Sequence, residues 1–124
     1  MSDLVTALEE IERELSQQKG PFTLFAVFER QDIPNRWDVL VAAPWVDQNN
    51  EQAMKLLAAE MKKRLPPPEI VRVSRIVLLD SDDASVRAIT SARSVEHGRT
   101  PFNEASDYGL PAERGYLITS RPAA

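Results

Sequence analysis

Leu4, Leu8, Ile11 and Leu15 recur every three or four residues, with Glu9, Glu10, Glu12, Arg13 and Glu14 filling the opposite side. That period predicts an amphipathic helix over Leu4–Leu15. Ser2 is its expected cap, Glu9 and Arg13 an expected i,i+4 pair, and Gly20-Pro21 its stop. The apolar step also fits a coiled-coil seam, but it is too short for one, so docking on a sheet is expected.

In Phe22-Thr23-Leu24-Phe25-Ala26-Val27-Phe28 both alternate faces are apolar, which predicts a strand covered on both sides. Arg30 to Arg36, with Asp32, Pro34 and Asn35, reads as a loop. Trp37 to Ala43 reads as a second strand, antiparallel to the first and ended by Pro44. Met54, Leu57, Ala58, Met61 and Leu65 draw a second helical stripe, with Asn49 and Gln52 as a reduced capping box and Pro66-Pro67-Pro68 as a barrier to continuation. Arg75-Ile76-Val77-Leu78-Leu79 is β-branched and apolar on both faces, the strongest strand signal in the chain. Ser81-Asp82-Asp83 opens a short helix with Val86, Ala88 and Ile89 inward. Residues 94–115 read as a long irregular loop, with Val95 in a short edge strand. Tyr116 to Thr119 is a final strand, and residues 121–124 read as a frayed end.

The expected fold is therefore α+β or α/β. About four strands form a small mixed sheet with helices packed on it, in the order α-β-β-α-β-α-β, and residues 1–124 form one domain.

Composition narrows the chemistry. At 43% hydrophobic and 27% charged the balance is that of an ordinary globular chain. Absence of cysteine excludes disulfides, thiolate nucleophiles and Cys-containing zinc sites, and the single histidine excludes a multi-His metal centre within one chain. No apolar run reaches the roughly 20 residues of a membrane span, and the acidic start does not fit a signal peptide, so a cytoplasmic protein is expected. A net charge of −4 disfavours nucleic acid as a partner; the one basic run, Lys62-Lys63-Arg64, is placed to complement a helix C-terminus.

If the strands at 37–43 and 75–79 are parallel, their carboxyl ends share a rim carrying Trp45 and Asp47 on one segment and Asp80, Asp82 and Asp83 on the other. These five are the first ligand-binding candidates. Ile76-Val77-Leu78-Leu79-Asp80-Ser81-Asp82 resembles the apolar strand and Asp-x-Asp that open haloacid-dehalogenase-type phosphatases. The resemblance implies Asp80 as nucleophile, Asp82 as general acid and a magnesium ion between them. It stops there: Ala84 and Ser85 stand where that family has Gly and Thr or Val, and too few residues follow for its later motifs. Helix capping is the competing role for Asp80 to Asp83, because carboxylates satisfy free amides at a helix start.

His97 and Arg99, in Val95-Glu96-His97-Gly98-Arg99, are the remaining candidates. The imidazole could serve as a general base, yet Glu96 is a poor orienting partner for its own neighbour in a strand. No Gly-x-Ser-x-Gly, Gly-x-Gly-x-x-Gly or Walker pattern is present. The expectation is thus a non-enzymatic binding or interaction domain without a cofactor, working as a homodimer and open to a small molecule or protein partner. The alternative is a metal-dependent hydrolase or transferase using the Asp80–Asp83 rim. The dimer is expected because two long helices leave one face of the first strand uncovered. A lid formed by Phe102, Tyr108 and Leu110 would remove that need.

Overall fold

Five strands build one mixed sheet: β1 (Leu24–Arg30), β2 (Trp37–Ala42), β3 (Val73–Leu78), β4 (Thr100–Pro101) and β5 (Ala112–Ser120), in the spatial order β3-β2-β1-β5-β4. The computed structural model describes residues 2–110 and 112–121. The helices are α1 (Ser2–Lys19), α2 (Pro44–Gln48), α3 (Asn50–Arg64), α4 (Pro67–Ile70) and α5 (Ala84–Ala92). The class is the mixed α+β expected from the pattern.

β1 is central and antiparallel to both β2 and β5, whereas β2 and β3 are parallel, which their long helical connection allows. One face carries Phe25, Val27, Trp37, Val39 and Val41 against the buried stripe of α1 and against Leu57 and Met61 of α3. The other carries Leu24, Ala26, Phe28, Leu40 and Leu117 against Val86 and Ile89 of α5, with Phe102 and Ala105.

Several expectations change. The 94–115 segment is not irregular throughout: it holds an isolated bridge from Val95 to Ser120, the two-residue β4, a 3-10 turn at Ala105–Tyr108 and the start of a nine-residue β5. Tyr116 to Thr119 is only the apolar half of that strand; Gly115 and the charged residues before it hid the rest. The strand count is five rather than four, and α2 and α4 are additional short helices that begin at prolines, where the missing amide costs nothing. Residues 94–110 also supply the lid: Phe102 is fully buried, with Tyr108 and Leu110 packed against the same cluster. Both faces of β1 are thus covered within one chain, and the reason first given for a dimer disappears. In α5, Thr90 turns inward and Ala88 outward. In α1, Glu12 is wholly buried, and Glu9 pairs with Arg99 rather than Arg13. Ser2, the expected cap, is instead the first residue of α1, and Arg121, expected in a frayed end, donates its amide to the Thr23 carbonyl at 3.0 Å; the position before Ser2, Pro111 and residues 122–124 lie outside the described residues.

The basic run ending α3 has a packing role at Arg64, which bonds Glu60 of its own helix and Glu14 of α1. Asn49 Oδ1 accepts the Gln52 amide at 3.1 Å, the expected cap of α3. Among the described residues no helix is long and apolar enough to cross a membrane.

Candidate functional site

The two segments of the expected rim do meet. Parallel β2 and β3 end on the same side, and the Ser81 amide donates to Asp47 Oδ1 at 3.3 Å. Asp83 caps α5, its Oδ1 accepting the Ser85 amide at 2.9 Å. Asp80 and Asp82 are exposed. Among the described residues no group of three or more carboxylates or imidazoles is placed to hold a metal ion. The chemistry visible on this rim is the satisfaction of backbone amides. Asp83→Ala is therefore expected to lower stability by about 0.5–2 kcal/mol as a lost cap, with Asp80→Ala and Asp82→Ala inside about 0.5 kcal/mol. Urea melts of the three variants check this, and equal losses at all three would point to a shared site.

Trp45 stands apart from the carboxylates. It sits in α2, packs edge-on against Phe22 at 5.4 Å, and donates its indole N–H to the Gly20 carbonyl at 3.2 Å. His97 is not brought to the rim either. Its segment runs beside β5, and β1 and β2 lie between it and the Asp80 end of β3.

His97 instead meets a residue that sequence reasoning assigned to solvent. Its Nδ1 lies 2.8 Å from Glu12 Oε1 and 3.0 Å from Oε2. The carboxylate also accepts the hydroxyls of Thr119 and Ser16, both at 2.8 Å. Three hydrogen-bond partners thus satisfy a polar side chain removed from water, the condition under which a buried carboxyl group is tolerated. His97 adopts φ 50°, a left-handed conformation uncommon for a residue with a Cβ. Two contacts hold it there: the His97 amide bonds Thr119 Oγ1 at 3.2 Å, and the Gly98 amide bonds the Ile118 carbonyl at 2.9 Å. Arg99 completes the attachment by bonding Glu9 at 3.0 Å and Thr6 at 2.8 Å. A carboxylate on Nδ1 orients an imidazole as in a general base. Here, however, Nε2 lies 4.0 Å from the Glu96 carboxylate, which has no hydroxyl or thiol proton for a base to take. The arrangement ties the 95–99 segment to α1 and β5. A signal for Glu12 was present: it lies seven residues after Val5, on the same helical row.

The third feature is the outer edge of β3. Among the described residues β3 pairs only with β2. Beside it Met54, Ala58 and Met61 of α3, with Ile70, Val73 and Ile76, line an open, mainly apolar groove of about 420 Å³ that Lys62 and Arg75 also border. Met54 and Ala58 were expected in the core; they are half-buried, and among the described residues no further strand lies beneath them. No protein-family model, curated protein or solved structure matches this chain.

Proposed function

We propose that this chain is a non-enzymatic, cytoplasmic interaction domain that works as a homodimer, joined edge to edge at β3. The observation that carries this reading is the difference between the two sheet edges. β4 is two residues long and contains Pro101, a common way of blunting an edge. β3 is six residues long, has no proline, and is flanked by the Met54–Ile76 groove. Its one charged side chain, Arg75, is tied back to Asp38 at 3.1 Å.

The geometry of β3 suits a second copy. The Leu79 amide bonds Val41 across β2, so the alternate residues Ile76 and Leu78 turn their backbone groups outward. A two-fold axis at Ile76 lets the two Ile76 residues exchange both backbone hydrogen bonds. It sets groove beside groove on one face and Arg75 opposite Val77 rather than opposite its own copy. The two α3 helices then run antiparallel, with Glu51 of each toward the Lys62-Lys63 end of the other. Such an isologous contact closes on itself.

Light scattering at micromolar concentration is expected to give twice the 13.9 kDa of one chain, and Ile76→Lys and Ala58→Arg are each expected to give folded monomers. A wild-type mass of one chain, or a dimer that survives both substitutions, rejects the proposal.

A further inference from the structure

A second cavity, of about 480 Å³, opens where the end of α1 meets α2 and the start of α3. It lies on the side of α3 opposite the Met54–Ala58 groove, because Gln52 and Leu56 stand two positions from Met54 and Ala58, about 200° round a helix. Trp45, Ala53 and Leu56, all buried or half-buried, give it an apolar floor. The exposed side chains of Gln18, Lys19, Gln48, Asn49 and Gln52 surround that floor.

The floor is fixed in place. Gly20 ends α1 at φ 119°, a left-handed value that suits glycine, and its carbonyl accepts the Trp45 indole N–H at 3.2 Å. Phe22 meets the indole edge-on at 5.4 Å. With its N–H committed, the ring offers the cavity carbon surface alone. The surround has the opposite character, since its polar groups are exposed and uncommitted. The carboxamides of Gln48 and Gln52, Asn49 Nδ2 and the Lys19 ammonium have no intramolecular partner among the described residues. Gln18 keeps Oε1 after its Nε2 bonds Glu14 at 3.2 Å, and Asn49 uses Oδ1 on the Gln52 backbone amide. Three of the chain's five glutamines gather here, and among the described residues the lining has one cation and no carboxylate, in a chain that is 27% charged.

That lining selects its ligand by chemistry. Each carboxamide carries two donors and an acceptor, and each hydroxyl both donates and accepts, so the surround matches a molecule rich in hydroxyls and free of charge. A fixed apolar floor with a few convergent polar groups is the usual make-up of a small-molecule site. A pyranose ring has both halves of the complement, a face of C–H groups and a periphery of hydroxyls. We propose that this cavity binds a neutral sugar, which lays its C–H face on Trp45 and Leu56 and exchanges hydrogen bonds with Gln48, Asn49 and Gln52.

Chemical-shift titration tests this, with the backbone amides and both indoles assigned by triple-resonance spectra. D-glucose, D-galactose, D-mannose and N-acetyl-D-glucosamine are added separately. Glycerol at equal osmolality controls for hydroxyls without a ring face, and adenosine for a flat ring stacked on the indole. Saturable shifts of the Trp45 indole N–H and of the amides at 48–53 are expected with at least one of the sugars. Gln48→Ala and Gln52→Ala are each expected to weaken that binding at least about threefold, the loss of one neutral hydrogen bond. Both side chains are exposed, and the α3 cap uses the backbone amide of Gln52 rather than its side chain, so both variants keep the fold. No saturable shift with any of the four sugars, a shift matched by glycerol, saturation by adenosine alone, or binding unchanged in both variants overturns the proposal.

Discussion

Phe25→Ala will destabilise the protein by about 3–5 kcal/mol, while Leu78→Ala will cost about 2 kcal/mol or less, at or below the bottom of the range for a core leucine. Phe25 is wholly buried at the centre of the sheet, between the Val41 and Thr119 positions of its two neighbours and edge-on to Phe22 at 5.0 Å. Truncating it leaves a void walled by α1 and two strands, which a rigid sheet cannot collapse to fill. Leu78 is half-buried on the outermost strand, and water already reaches its surroundings. Urea midpoints of the two variants decide the matter. The reverse order would make β3 the centre of the fold and would remove the open edge on which dimerisation rests.

That contrast shows where sequence pattern stops being informative. An apolar run on both faces reports that both faces of a strand are covered; it does not report whether another strand lies beside it. β1 and β3 have the same signature because each lies between two layers. Hydrogen bonding on the second edge distinguishes them, and backbone pairing leaves no trace in side-chain period. The helices were legible for the opposite reason: the α1 stripe and the Asn49 cap are local, and local physics sets them. The contacts of Asn35 were beyond reach, since Asn35, Arg72 and Glu29 look like ordinary loop and surface residues until the chain brings them together, Asn35 accepting from Arg72 at 2.7 Å and giving its amide to Glu29 at 2.9 Å. The aspartate rim was found in the right place, yet its most visible contacts are to backbone amides.

The Glu12–His97 pair supplies the second large effect. Removing a hydrogen-bond partner from a buried carboxyl group costs about 1–3 kcal/mol, because a group taken out of water has lost part of its compensation. His97→Ala is expected near the lower end of that range, since Thr119 and Ser16 still donate to the carboxylate and the imidazole itself is one-third exposed. A second loss accompanies it: the 95–99 segment is released from α1 except through Arg99. Neutralising the carboxylate separates the two contributions. Glu12→Gln fills the same volume without a charge, so the double variant Glu12→Gln with His97→Ala will be more stable than His97→Ala alone. The resulting double-mutant coupling will exceed about 1 kcal/mol, well above the scatter for independent sites. Chemical denaturation of the wild type, both single variants and the double variant measures it. Additive losses would mean that His97 does not compensate the Glu12 charge, and that the two hydroxyls alone keep a carboxylate inside this core.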